Sequence, residues 1–195
     1  MKYAVDPVNR DWGFWAKWES GEWEPETREV IERLCLRGTF VDIGAWIGPT
    51  AIWAAPHAGR VVAIEPDPVA YDMLTTNTAD LPNVECHHLA VDSVDGYTMI
   101  ATAGDSMSRT GTGDYEVESC TLETLFARLH ITAADLIKMD IEGAERDVIA
   151  QAEPFLRRFG APLLLSMHPW APGSALPLNG WHIEEVGHLE ILATP

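Results

Sequence analysis

Short, almost wholly apolar runs alternate with segments of helical periodicity along this chain, and that alternation constrains its fold most. Thr39–Ile43, Arg60–Ile64, Val84–Val91, Asp135–Met139 and Pro162–Met167 read as strands. Between them, Pro49–Ala55, Pro68–Ala79, Leu122–Leu129 and Ala144–Phe159 read as helices, the last interrupted by Pro154. Strands that are apolar on both faces are covered on both faces. The expected fold class is therefore α/β, an open and mostly parallel central sheet with helices on both faces. Two short closing strands, His182–Val186 and Leu189–Ala193 around Gly187, predict an antiparallel hairpin at one edge.

Two stretches lie outside this alternation. Asp11–Trp23 carries Trp12, Trp15 and Trp18 at a spacing of three, with Phe14 and Trp23 nearby, so the three tryptophans share one side of a helix. The segment is either a cap packed on the core or a lid that adds aromatic surface to a substrate pocket. A second helical pattern opens at Pro25-Glu26-Thr27, runs through Val30, Ile31, Leu34 and Leu36, and stops at Gly38. Tyr97–Cys120 is polar, holds Gly104, Gly111 and Gly113, and has β-favouring ends, which predicts a β-hairpin excursion. Without repeats or a low-complexity linker, residues 1–195 are expected to form a single domain, with 1–37 as an N-terminal helical, Trp-rich cap.

Composition limits the partners. The 195 residues include 13 Lys+Arg against 30 Asp+Glu, a formal net charge of −17. Broad binding to nucleic acid, or to anionic lipid through a basic patch, needs clustered cations, so neither is expected. No apolar run approaches the ~20 residues that cross a bilayer, and the first residues lack a signal-peptide core. Cys35, Cys86 and Cys120 are odd in number and far apart. That is the thiol usage of a reducing, cytoplasmic protein, and it offers neither a zinc site nor a disulfide frame.

The first strand runs into Asp42-Ile43-Gly44-Ala45-Trp46-Ile47-Gly48. In an open α/β sheet, ligands sit beyond the carboxyl ends of the strands, beside the first one. Gly44 permits a sharp turn and close approach of a ligand, and Gly48 permits close packing of the next helix. Glu65 closes the second strand about 20 residues after Gly44, the position of an acid that holds the two hydroxyls of an adenosine ribose. The turn lacks the third glycine of a dinucleotide site, Trp46 would crowd a diphosphate, and the chain holds no phosphate-cradling P-loop. Asp42 suits a cationic cofactor. S-adenosylmethionine, with a sulfonium and an ammonium, fits better than NAD.

These residues resemble a known group. Thr39-Phe-Val-Asp-Ile-Gly-Ala-Trp-Ile-Gly48, Glu65-Pro66 and, most specifically, Leu136-Ile-Lys-Met-Asp-Ile-Glu-Gly-Ala-Glu145 resemble the FkbM family of S-adenosylmethionine-dependent methyltransferases. Ala90-Val91 and Cys120-Thr-Leu-Glu-Thr-Leu125 also resemble it, and the similarity spans Gly38 to Trp170. The resemblance implies a Rossmann-like class I methyltransferase fold and O-methylation of a sugar, glycan or natural-product small molecule, with S-adenosylhomocysteine as the spent cofactor. It also implies that Gly44, Ala45, Trp46 and Gly48 line the cofactor and that Asp42 faces its methionine end. Glu65, with Pro66 beside it, would take the ribose, Ala90 and Val91 would flank the adenine, and Asp140 would lie between cofactor and acceptor. Trp46 stands where many members have Asn. Ser166 stands where many have Glu two residues before the histidine, here His168.

An alcohol acceptor must lose a proton, so a base is expected within reach of it. Asp140 and Glu142 follow the fourth strand of the alternation, and His168 follows the fifth. His168 titrates in the useful range and is the first candidate for base, with Asp140 the alternative. The same three side chains would suit a divalent cation, but Ser166 removes a carboxylate from the set, and no metal is predicted. Arg109 could contact an acceptor. Other readings are an N-methyltransferase of a small amine and a catalytically silent S-adenosylmethionine-binding partner subunit. The acceptor and the oligomeric state are open at this level.

Overall fold

The computed structural model describes residues 3, 13–101, 113, 115–167, 176–187 and 189–195. In chain order, α1 (Phe14–Ser20) and α2 (Pro25–Leu34) precede β1 (Thr39–Ile43), α3 (Pro49–Ala54), β2 (Arg60–Glu65), α4 (Pro68–Thr78) and β3 (Val84–His88). Next come β4 (Ala90–Val91), β5 (Gly96–Ile100), β6 (Tyr115–Cys120) and α5 (Leu122–Arg128). β7 (Leu136–Met139), α6 (Glu145–Phe159), β8 (Leu163–Ser166), β9 (His182–Glu185) and β10 (Glu190–Thr194) complete the chain.

The main sheet has the order β3-β2-β1-β7-β8-β10-β9. Its first five strands are parallel, and β10 pairs antiparallel with both β8 and β9. The expected α/β sheet and its edge hairpin are therefore present. Strand order reverses beside β1, where β2 lies on one side and β7 on the other, and in open α/β sheets ligands bind at the carboxyl edge of such a reversal.

Alternate residues feed two cores. Val41, Val62, Ile137 and Leu163 pack on one face with α5 and α6, while Phe40, Val61, Leu136 and Leu164 pack on the other with α2 and α3. Asp42, Ala63, Lys138 and Leu164 form one cross-strand row on the α2/α3 face. Two charged side chains thus stand in an otherwise apolar row.

Three sequence expectations change. The run Val84–Val91 is not one strand. The main sheet's pairing ends at Glu65 with His88, Leu89 donates to the Glu65 carbonyl at 3.3 Å, and the chain leaves to form β4 in a second sheet, β4-β6-β5. The hairpin excursion is present as the antiparallel pair β5–β6, and β4 extends it. α6 runs through Pro154 without a break. Pro154 and the Ala150 carbonyl region face solvent, while Val148, Ile149, Ala152 and Leu156 bury the opposite side, which offsets the lost hydrogen bond. α2 ends before Leu36, which is 76% exposed, because the Leu36 and Gly38 amides turn onto Asp135 Oδ2 at 2.7 and 2.8 Å.

α1 is shorter than the tryptophan spacing suggested, and Trp12 lies outside the described residues. Phe14 and Trp18 are buried on the turn after β1. Phe14 meets Trp46 edge-on at 4.8 Å, and the Trp18 indole donates to the Pro49 carbonyl at 3.2 Å. α1 therefore packs against the turn after β1. Cys35 and Cys120 are buried free thiols whose pKa values burial pushes up, to about 12 and about 11.

Candidate active site

Three turns meet at the carboxyl edge: the one after β1, the one after β2 and the one after β7. Gly44 joins the first to the third. It sits at φ 82, and a Cβ there would stand 1.8 Å from the Asp140 carbonyl oxygen. The space that the sequence reading reserved for a ligand is filled by the backbone of the neighbouring turn. The Asp140 amide also donates to the Ile43 carbonyl at 2.9 Å, so the β1–β7 ladder continues into the turns. Gly48, at φ 92, caps α3, and the close approach it allows is to Leu74 of α4.

Glu65 closes β2 and is 5% exposed. Its Oε2 accepts from the Trp46 amide and its Oε1 from the Asp67 amide, both at 2.8 Å. Each oxygen keeps a lone pair after that contact. Burial pushes this carboxyl up to about 8, although the two amides pull it down. Trp46 is held at φ 49, a left-handed conformation that a bulky residue adopts only when its surroundings enforce it. The Glu65 contact and the Phe14 ring supply that enforcement. Ala45 is buried beneath the turn, and Pro66 is half-buried, its carbonyl 3.0 Å from His88 Nε2.

The turn after β7 is organised by Glu145. Its Oε1 accepts from the Ile141 amide at 2.8 Å and its Oε2 from the Gly143 amide at 2.9 Å. Negative charge at the first residue of α6 also opposes the helix dipole favourably. Between those two amides lies Glu142, a second bulky residue in the left-handed region, at φ 56. Asp140 keeps 22% side-chain exposure at the edge, and its Oδ2 pairs with Lys138 Nζ at 3.2 Å.

Lys138 is the residue that the sequence reading passed over, although a lysine inside the apolar run Leu136-Ile-Lys-Met is itself a signal. It is 2% exposed. Burial alone would lower its pKa, yet Asp140, Glu24 and Asp42 together raise it, so the ammonium stays charged. Asp42 lies beside it across the β1–β7 ladder, fully buried below the turn rather than at the open edge. Burial pushes the Asp42 carboxyl up to about 6, against the pull of Lys138 and of the Ala51 amide.

Ala90 and Val91 lie in the small sheet with buried side chains, Ala90 against Ile100 and Val117 and Val91 in the main core. They are close to the edge in sequence but committed to packing. His168 and Arg109 lie outside the described residues. β8 ends at Ser166, which is buried, and the next residue, Met167, bonds to the Leu189 carbonyl. The structure thus brings Gly44, Trp46, Glu65, Asp140 and Glu142 to one edge, places Asp42 beneath it, and separates off the side chains of Ala90 and Val91.

The methyltransferase FkbM domain matches residues 42–185 of this chain. Among solved structures, the fold is similar to methyltransferase FkbM from Methylobacillus flagellatus, with TM-score 0.58 and 18% identity, covering 81% of this chain and 43% of that one. The chain therefore spans less than half the length of that relative. An rRNA methylase from Streptococcus thermophilus matches with TM-score 0.52 and 11% identity, over 86% of this chain and 92% of that one. Aeropyrum pernix fibrillarin, solved with natively bound S-adenosyl-L-methionine, matches with TM-score 0.52 and 14% identity, over 83% and 68%. No curated protein matches the sequence. Among the described residues, no helix is long and apolar enough to cross a membrane.

Proposed function

The chain belongs to the FkbM methyltransferase domain family, and from that premise we propose that it methylates a hydroxyl of a sugar, glycan or natural-product small molecule, with S-adenosylmethionine as donor. The observation that carries the reading is Glu65. It stands at the end of β2, fixed by two backbone amides, with a lone pair left on each oxygen for the two hydroxyls of a ribose. The carboxylates gathered at this edge suit a donor with two cationic centres.

Bound S-adenosylmethionine supplies an electrophilic methyl group on sulfur. The chain's part is positioning, since most of the rate of such an in-line displacement comes from holding oxygen and methyl in near-attack geometry. Glu65 holds the ribose end. The Gly44–Trp46 turn sets the floor beside it, and Asp140 lies on the acceptor side with its carboxylate pinned by Lys138. His168 takes the acceptor proton, with Asp140 the alternative base. The net charge of −17 favours a neutral acceptor over a phosphorylated one or a nucleic acid. The free thiols fit a reducing, cytoplasmic setting.

Calorimetry with S-adenosylmethionine, followed by an acceptor screen with labelled methyl donor that includes sugars, phenols and amines, tests this reading. Glu65→Ala is expected to weaken cofactor binding. His168→Ala is expected to lower turnover with binding kept. Transfer to amines alone would move the assignment to N-methylation, and no binding at micromolar cofactor would refute it.

A further inference from the structure

Lys138 is one of three lysines in the chain, and it is buried in the core at 2% exposure. Its neighbours come from three separate elements. Asp140 follows β7 and contacts it directly, with Nζ 3.2 Å from Oδ2. Asp42 stands next to it in the cross-strand row of β1. Glu24 precedes α2, lies outside the family-matched segment, and acts on the same ammonium. Glu24, in left-handed backbone at φ 42, precedes α2 without a side-chain bond to a helix amide.

We propose that Lys138 is a positioning residue of the methyl-transfer site, fixing the Asp140 carboxylate at the sheet edge from below. The inference rests on the methyltransferase reading. The physical logic is that a lone buried ammonium would lose its proton or leave the core, whereas three carboxylates hold it charged. Once charged and immobile, it leaves Asp140 a single favourable placement. Other groups facing this cluster are Glu190 of β10, which acts on Glu24, and the Ala51 amide, which acts on Asp42.

The three lysines make a direct test possible. In protein carrying ¹⁵N-labelled lysine, Lys138 is expected to give an ammonium resonance protected from exchange, distinct from those of Lys2 and Lys17. It should shift in Asp140→Asn and in Glu24→Gln, and on addition of S-adenosylmethionine. In binding, Lys138→Met and Asp140→Asn should each weaken S-adenosylmethionine by about tenfold or more, as loss of a buried charge partner implies. The double variant should be no weaker than the worse single, because both act through one carboxylate. A folded Lys138→Met with the wild-type Kd overturns the proposal, and so do losses that multiply in the double variant. If Lys138→Met does not fold, a Lys138 resonance unmoved by Asp140→Asn overturns it instead. A wild type that fails to bind S-adenosylmethionine sinks the methyltransferase reading separately, since the resonance shifts in Asp140→Asn and Glu24→Gln do not depend on cofactor.

Discussion

Gly44→Ala tests how the site is built. A Cβ at Gly44 would stand 1.8 Å from the Asp140 carbonyl oxygen and 2.8 Å from its carbon, whereas real Cβ contacts do not fall below 3.0 Å. Both clashing atoms are backbone, so no rotamer change relieves them. The turns after β1 and β7 must separate by about 1 Å or more in a core that does not yield readily. The left-handed φ of 82 adds about 1–2 kcal/mol for a residue with a Cβ. Overpacking adds about 1–3 kcal/mol. For a chain of this size, such a loss lowers Tm by on the order of 10 °C. A displacement of that length at a site built on positioning also costs on the order of a hundredfold in rate. Gly48→Ala is the control. It has the same kind of φ, 92, but its nearest contact is Leu74 Cδ1 at 2.8 Å, the movable end of a side chain. Scanning calorimetry and S-adenosylmethionine titration should rank Gly44→Ala well below Gly48→Ala in both stability and affinity. Wild-type melting and binding in Gly44→Ala, or greater damage from Gly48→Ala, would show that the turn-to-turn contact does not organise the edge.

Three further outcomes follow from the same geometry. The Glu65 carboxyl, ordinarily 4.5 and about 8 when folded, binds its proton more tightly in the folded chain. The stability it contributes is therefore complete below about 4.5 and lost as pH rises through about 8. Glu24, raised to about 7, and Asp42, raised to about 6, act in the same direction at lower pH. The cofactor-free protein should thus melt lower as pH climbs from 5 to 8, and Glu65→Gln should flatten that fall, most completely between about 7 and 8 where Glu65 alone acts; parallel curves would refute this. Glu145→Ala strips the acceptors from the Ile141 and Gly143 amides, at about 1–3 kcal/mol for each one left unsatisfied. Hydrogen exchange at those two amides should accelerate together, and unchanged protection would deny Glu145 its role. Phe14→Ala removes the ring that meets Trp46 edge-on, a core truncation of about 3–5 kcal/mol. Cofactor affinity should fall along with Tm, whereas a lower Tm with unchanged affinity would confine α1 to packing.

The sequence was most readable where apolar runs are closed by glycine or proline. β1 lies between Gly38 and Gly44, α3 opens at Pro49, β2 follows Gly59 and α4 opens at Pro68, and all four were located to within a residue or so. Readability fails where a tertiary partner decides. Nothing in His87-His88-Leu89-Ala90-Val91 marks a change of sheet, because the break at Leu89 depends on where β2 ends. Pro154 is tolerated because it faces solvent, a property of the folded helix rather than of local preference. At the site, the positions of Gly44, Glu65 and Asp140 followed from order and spacing. What they touch did not. Gly44 meets a carbonyl instead of open space, and the neighbours of Lys138 come from positions 24, 42 and 140, contacts that no short motif encodes.

The acidity of the chain acquires a structural meaning from these contacts. Glu65 clamps the amides of Trp46 and Asp67, and Glu145 clamps those of Ile141 and Gly143. Each clamp carries a bulky residue in a left-handed backbone, Trp46 in one turn and Glu142 in the other. Such conformations cost about 1–3 kcal/mol each and persist only where the surroundings over-determine them. The two clamped turns press together at Gly44 and Asp140, and Lys138 ties the second to the sheet below. A carboxyl group suits this work because its two oxygens can each accept from a separate backbone amide. Part of the charge of −17 thus builds the edge at which a cationic donor would dock, so the groups that attract the cofactor and those that shape its site overlap in Glu65. The overlap explains why Glu65→Gln, which leaves the volume unchanged, should alter both the pH dependence of stability and the affinity for S-adenosylmethionine, while exposed acids such as Glu123 and Glu184 should alter neither.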